Sequence, residues 1–151
     1  MSEHTATIHW ERGDTEFTYE TYSRNHTVTF PNGHVIESSA AADFMGDPDK
    51  VDPEEMLVAA LSNCHMLTFL ALAAKKRLVV ESYTDRASGV VGTLENKRMA
   101  VTAVTLRPEV TFGGPEDKRP DAETIDAMHH KAHDHCFIAN SVNCDIRVEA
   151  K

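Results

Sequence analysis

The stretch from Asp52 to Arg77, DPEEMLVAALSNCHMLTFLALAAKKR, leaves this chain few ways to fold. Its start and its end are both written in the letters. Asp52 is a good N-cap, Pro53 suits the first helical position, where a missing N–H costs nothing, and Glu54 and Glu55 complement the positive end of the helix dipole. Lys75, Lys76 and Arg77 stand at the opposite end, where cations are favoured. The spacing predicts one helix of roughly 35 to 40 Å at about 1.5 Å per residue. Its interior is apolar nearly all the way round, and a helix without a polar face must be surrounded. Lipid is a poor surround because Ser62, Asn63, Cys64, His65 and Thr68 interrupt the run at its middle, where polar groups are expensive. Protein on every side is the alternative, and a chain of 151 residues struggles to supply it alone. A dimer that buries two such helices together is therefore expected, with Cys64 at the centre of each.

The rest of the chain reads as strands and one more helix. Thr5 to Tyr22 alternates around Gly13-Asp14, predicting a first hairpin. HTVTF and HVIESS flank Pro31-Asn32-Gly33, a strong signal for a second. Ala40 to Val51 is a loop broken by Gly46 and Pro48 that carries the large apolar residues Phe44 and Met45. After the helix, two long strand patterns, 78–92 and 98–114, are joined by a turn at Glu95-Asn96-Lys97, with Pro108 marking an edge or a bulge. Gly113 to Pro120 is an exposed linker. Asp121 caps a second helix that places Ile125, Met128, Ala132 and Cys136 on one face, and Cys144 to Glu149 is a final strand. Strands, helix, strands, helix, strand is an α+β order without βαβ rhythm, in one domain spanning residues 1–151.

Bulk properties exclude several classes. A formal charge of −9 and the lack of a Lys/Arg patch argue against nucleic acid and anionic membrane surfaces. No basic region followed by an apolar run opens the chain, so no signal peptide is expected and a cytoplasmic location is. Three cysteines, Cys64, Cys136 and Cys144, are too few and odd for a disulfide scaffold. They are inert core residues, metal ligands or reactive thiols.

Two constellations carry possible chemistry. In the first, Cys64 is a nucleophile and Cys136 its partner: a thiolate cleaves a peroxide O–O bond, and a second thiol condenses with the resulting sulfenic acid. That chemistry requires a cation beside the first sulfur, because a free cysteine is mostly thiol at neutral pH. Taken alone, a cysteine in an Ala/Leu-rich helix is most simply a small inert hydrophobe. The second constellation is His129, His130, His133, His135 and Cys136, where His129 and His133 at i, i+4 share a helix face suited to zinc or copper. The spacing matches no zinc module, and a solvated helix face explains it as well. His65 is expected to be satisfied within the core.

PEEMLVAALSNCHMLTFLALAAKK around Cys64, with YSRNHTVTF before it and AHDHCFIANSVNCDIRVE after it, resembles the OsmC/Ohr family of thiol peroxidases, more its OsmC-like branch. The resemblance runs in order from about Tyr22 to Glu149. It implies an intertwined homodimer in which antiparallel sheets wrap long central helices, with no cofactor. It further implies that Cys64 is the peroxidatic cysteine, Cys136 the resolving one, and Glu54 the carboxylate that orients an arginine over the thiolate. Arg24 in YSRNH is the choice for that arginine and Arg12 the reserve. Phe44, Met45, Met56, Phe69 and Phe137 are candidates to line an apolar pocket. The family's substrates are organic hydroperoxides and its reductant an external dithiol, often lipoyl-based. Phe137 departs from the proline that many relatives carry after the second cysteine, and Cys144 has no family role. The competing function is a non-enzymatic OsmC-like protein that binds a small molecule or metal while Cys64 stays reduced.

Overall fold

A computed structural model describes residues 1–151. The chain forms two compact units, Met1–Met56 and Leu57–Lys151.

In the first unit, β1 (Thr7–His9), β2 (His26–Thr29) and β3 (Val35–Ser38) form an antiparallel sheet in that order. The hairpin at Pro31–Gly33 is present, with Thr29 opposite Val35 and Gly33 at a φ of 85°; Phe30 and His34 close the turn below it. The expected first hairpin is not. β1 pairs with β2, Ile8 opposite Val28, and residues 18–22 form turns. The alternation after Gly13 serves an aromatic cluster instead, in which Phe17 and Tyr22 meet Trp10. The loop after β3 is pinned by two fully buried serines: Ser38 Oγ donates to the Val51 carbonyl at 2.7 Å, and Ser39 Oγ accepts from Asp47 N–H at 3.0 Å. Gly46 lies so close to the Ala40 carbonyl that a Cβ would sit 1.5 Å from its oxygen. No other residue fits there.

α1 (Pro53–Lys75) starts with a reciprocal cap: Asp52 Oδ1 accepts from Glu55 N–H at 2.7 Å, and Glu55 Oε2 accepts from Asp52 N–H at 3.1 Å, satisfying two donors that a helix start otherwise leaves open. At the other end Leu78 N–H reaches back to the Ala73 carbonyl across Arg77, whose φ is 60°. That is the left-handed stop usually given to glycine.

In the second unit, the α1 residues Leu61, His65, Phe69 and Ala73 are buried. Their spacing of four makes a single ridge along the helix. Phe69 and Ala73 pack with Met128 and Ala132 of α2 (Ala122–Asp134), and Leu61 joins Val104 and Leu106 in a second cluster. α2 is capped by Asp121, which accepts from Thr124 N–H at 2.8 Å; the Thr124 side chain, first, and its N–H, second, hold the Asp121 carboxyl below the usual range. The two long strands each break near one level. β4 (Val80–Asp85) pairs with β7 (Pro108–Phe112), whereas β5 (Ser88–Thr93) pairs with β6 (Met99–Leu106), and β8 (Asp145–Val148) joins β6 in parallel. Asp85 causes part of the break by accepting from Arg107 N–H at 2.6 Å through its side chain, and Pro108, which lacks a donor, opens β7. The architecture is α+β, as expected.

Arg77→Gly should raise stability by about 0.5 to 1 kcal/mol, because it removes the Cβ strain of the left-handed stop and keeps the backbone bonds. Urea unfolding monitored by circular dichroism measures this. A loss of stability would show that the arginine side chain outweighs its backbone conformation.

Candidate active site

Helix spacing places Cys64 one residue off the buried ridge, so its side chain is half-buried, while Cys136, two residues beyond the end of α2, is buried. The Cys64 side chain lies near that of Cys136, and both thiols are free. Burial, first, and the neighbouring Cys64, second, push the Cys136 thiol up to about 11. Its sulfur also accepts from Ala139 N–H at 3.4 Å. At neutral pH Cys136 is thus a protonated thiol and Cys64 the more accessible sulfur of the two. Cys144 packs at the edge of the Leu61 cluster.

The other predicted site residues are distributed as follows. Glu54 lies in the first turn of α1. Arg24, half-buried, donates from Nη1 to the Tyr22 carbonyl at 3.0 Å and from Nη2 to the Tyr19 carbonyl at 2.7 Å, and the two residues form no ion pair with each other. Arg12 is exposed and donates only to the Thr15 carbonyl. Phe44, Met45 and Phe137 are exposed and Met56 half-buried. Phe69 is not a pocket residue: its ring is fully buried and stacks on His129 at 4.3 Å, and Tyr83 and Phe112 pack around it. Its place on the four-residue ridge of α1 commits it to the core.

The histidine run does not act as one group. His130 Nδ1 and His135 Nδ1 turn back to carbonyls of their own helix, Asp126 and Lys131, whereas His129 points inward. No three His, Cys, Asp or Glu side chains converge as a metal would require.

Sequence reasoning missed where His129 goes. His65 Nε2 and His129 Nδ1 lie 3.0 Å apart between parallel rings, both residues fully buried. Beyond this bond, His65 Nδ1 and His129 Nε2 have no partner, so His65 is only half satisfied. Whichever ring donates, the pair is two neutral imidazoles with an N–H at one end and a lone pair at the other. Burial, assisted by His129 and His133 and opposed by Asp85, lowers His65 to about 4. Burial also lowers His129, against the pull of Asp126 and Asp85. The spacing of His65 between Leu61 and Phe69 was a legible sign of burial, but nothing in the letters joined it to His129.

An α+β chain that sets a half-exposed cysteine of its long apolar helix against a buried one defines a two-thiol protein. The family model for OsmC-like proteins matches residues 46–151, and the chain belongs to that family. It is similar over its full length to an OsmC-like protein of unknown function from Vibrio cholerae, with 47% identity, a TM-score of 0.94 and complete coverage of both chains. An organic hydroperoxide resistance protein OsmC from Legionella pneumophila shares the fold at 18% identity and a TM-score of 0.76, over 100% of this chain and 98% of that one. The uncharacterized protein YmaD of Bacillus subtilis is 24% identical over 131 residues, 85% of this chain and 86% of its own. OsmC-like proteins are generally soluble. Although α1 is long and apolar enough to cross a membrane by length and composition, its buried ridge makes it a core helix here.

The histidine pair sets a pH dependence. Because His65 and His129 titrate lower folded than unfolded, the unfolded chain binds protons that the native one refuses. Stability is complete above the unfolded value of about 6.5 and falls as pH drops toward about 4, by on the order of 2 kcal/mol for His65. Urea midpoints measured between pH 7 and 4.5 should fall less steeply in a His65→Leu, His129→Leu double variant; parallel slopes would remove the pair as the cause.

Proposed function

We propose that this protein is a thiol-dependent peroxidase that reduces organic hydroperoxides. The observation that carries the reading is the proximity of a half-exposed Cys64 to a buried, protonated Cys136. Only a thiolate attacks peroxide, so the raised Cys136 is unsuited to the first step and Cys64 takes it. The Cys64 thiolate attacks the distal oxygen of ROOH, the O–O bond breaks, and RO⁻ leaves and takes up a proton as ROH, while the distal oxygen stays on Cys64 as a sulfenic acid. Cys136 then attacks that sulfur, water departs, and a Cys64–Cys136 disulfide remains. An external dithiol, lipoyl-based in the family resemblance, gives two electrons and two protons to restore both thiols.

Arg24 is the proposed cation for this chemistry. A guanidinium stays charged at any working pH, favours a thiolate, and donates to the oxygen that gains negative charge as the O–O bond breaks. Glu54 is the carboxylate that the resemblance pairs with it. Because the two form no ion pair here, the proposal rests on Arg24. Phe44, Met45 and Phe137, apolar and exposed, are offered for contact with the alkyl group of the substrate, and Met56 as a half-buried member of the same set; desolvation of an alkyl chain would favour organic peroxides over hydrogen peroxide. The proposal includes a homodimer, since α1 keeps apolar residues such as Leu67 in solvent, 58% exposed, and a cytoplasmic setting, where thiols stay reduced.

A stoichiometric pulse of cumene hydroperoxide followed by intact-mass measurement tests the reading. The wild type should lose two hydrogens, Cys136→Ser should gain one oxygen, and Cys64→Ser should do neither. No change in the first two would favour a protein whose Cys64 is structural. Arg24→Ala should slow Cys64 oxidation by about 10- to 100-fold while leaving the unfolding midpoint nearly unmoved, measured by rapid quench and by urea titration. Equal rates would remove Arg24 from the site.

A further inference from the structure

The histidine run of α2 borders a groove that the thiol chemistry does not use. Asp126, His129, His130 and His133 recur at helical spacing on one face of α2, and with Ile146 and Val148 of β8 they line a groove of about 460 Å³. That is room for a small organic molecule. One wall is polar and the other aliphatic. No lysine or arginine lines the groove, and Asp126 gives it a formal negative charge.

The polar wall is rich in acceptors. His130 Nδ1 lies 3.0 Å from the Asp126 carbonyl, which can only accept, so Nδ1 carries the proton and Nε2 of the neutral ring is left as a lone pair. The Asp126 carboxylate, 72% exposed, adds two acceptor oxygens. His129 is 2% exposed, its Nδ1 is taken by His65, and its other nitrogen, Nε2, has no partner in the protein. A buried nitrogen without a partner is costly. A ligand seated in the groove that hydrogen-bonds it removes that cost.

The two imidazoles behind this wall are aligned as a relay. Their planes differ by 4° and their centres are 5.3 Å apart, which is the longest separation that a 3.0 Å N···N contact allows. The rings therefore meet edge to edge in one plane, with the N–H pointing straight at the acceptor lone pair. Each neutral ring holds one N–H and one lone pair. A donor placed on His129 Nε2 thus fixes a proton on His129 Nδ1, which donates to His65 Nε2 and leaves the His65 proton on Nδ1. One contact in the groove sets both tautomers.

We propose that this groove binds an organic ammonium ion, which pairs with Asp126, donates to the imidazole of His129 and lays its hydrocarbon body on Ile146 and Val148. An ammonium nitrogen has donors and no acceptor, so it matches a wall of acceptors, and the chain's charge of −9 favours the approach of a cation. A carboxylate would meet Asp126 as a like charge. A neutral alcohol would forgo the ion pair.

Titration of the full-length protein, labelled with nitrogen-15 at histidine, with n-hexylammonium chloride tests this by NMR. Hexylammonium should saturate one site, with hexanoate and n-hexanol weaker by about 5-fold or more, and Asp126→Asn should weaken it by about 3- to 5-fold, the range of an exposed ion pair. In the saturated protein both His129 and His65 should carry their proton on Nδ1, read from their nitrogen shifts, although His65 does not line the groove. Absence of saturation, equal affinity for hexanoate or hexanol, unchanged affinity in Asp126→Asn, or a His129 proton on Nε2 in the saturated protein would each overturn the proposal. So would zinc chloride that binds at one ion per chain and expels the ammonium at equal concentration, because the groove would then serve a metal.

Discussion

The second unit depends on one row of contacts: Leu61, His65, Phe69 and Ala73, four residues apart on α1, buried against the inward face of α2 and the strands beside it. A four-residue repeat drifts slowly round a helix, so the row is a narrow ridge and only one side of an otherwise apolar rod is covered. Everything of chemical interest follows from where that ridge lies. Cys64 is its flank neighbour and therefore half-covered. Cys136 ends the face on which Met128 and Ala132 pack, and is therefore covered completely. Two thiols 72 positions apart in the chain become neighbours because α1 and α2 share one seam.

That seam also explains the polarity of the pair. Burial disfavours charge, so the buried Cys136 is held as a weak acid, and the neighbouring Cys64 adds to the effect. The same seam holds the two imidazoles neutral, with a stack against Phe69 on one side and unsatisfied nitrogens at both ends. Unpaired buried polar atoms are rare and costly, and this pair places that cost inside the packing of α1 against α2. The first unit follows the opposite rule. Its aromatic rings are gathered around a single charge, held by neutral partners that leave the charge in force.

Much of this was legible in the letters. The Asp52 cap, the Pro31–Gly33 hairpin, the Asp121 cap and the inward face of α2 all come from interactions within a few residues, which sequence spacing reports directly. Alternation misled after Gly13: Phe17 and Tyr22 meet Trp10 in an aromatic cluster, and β1 finds its partner in β2. The two long strand patterns were real, but Asp85 and Pro108 split them into pairs belonging to different sheets. Phe69 reads equally as core or pocket until the ridge is seen.

The sequence by itself determined the helices, their caps, the α+β order and the cysteine at the middle of α1, because hydrogen bonding and dipole complementarity act over one or two turns. Only the tertiary structure decided that Cys136 lies near Cys64, that His129 leaves its run to pair with His65, and that Arg24 is held by tyrosines and not by Glu54. Each of these joins groups that are free to choose among many neighbours. The choice is made by which apolar faces bury one another, and that is a property of the packed chain.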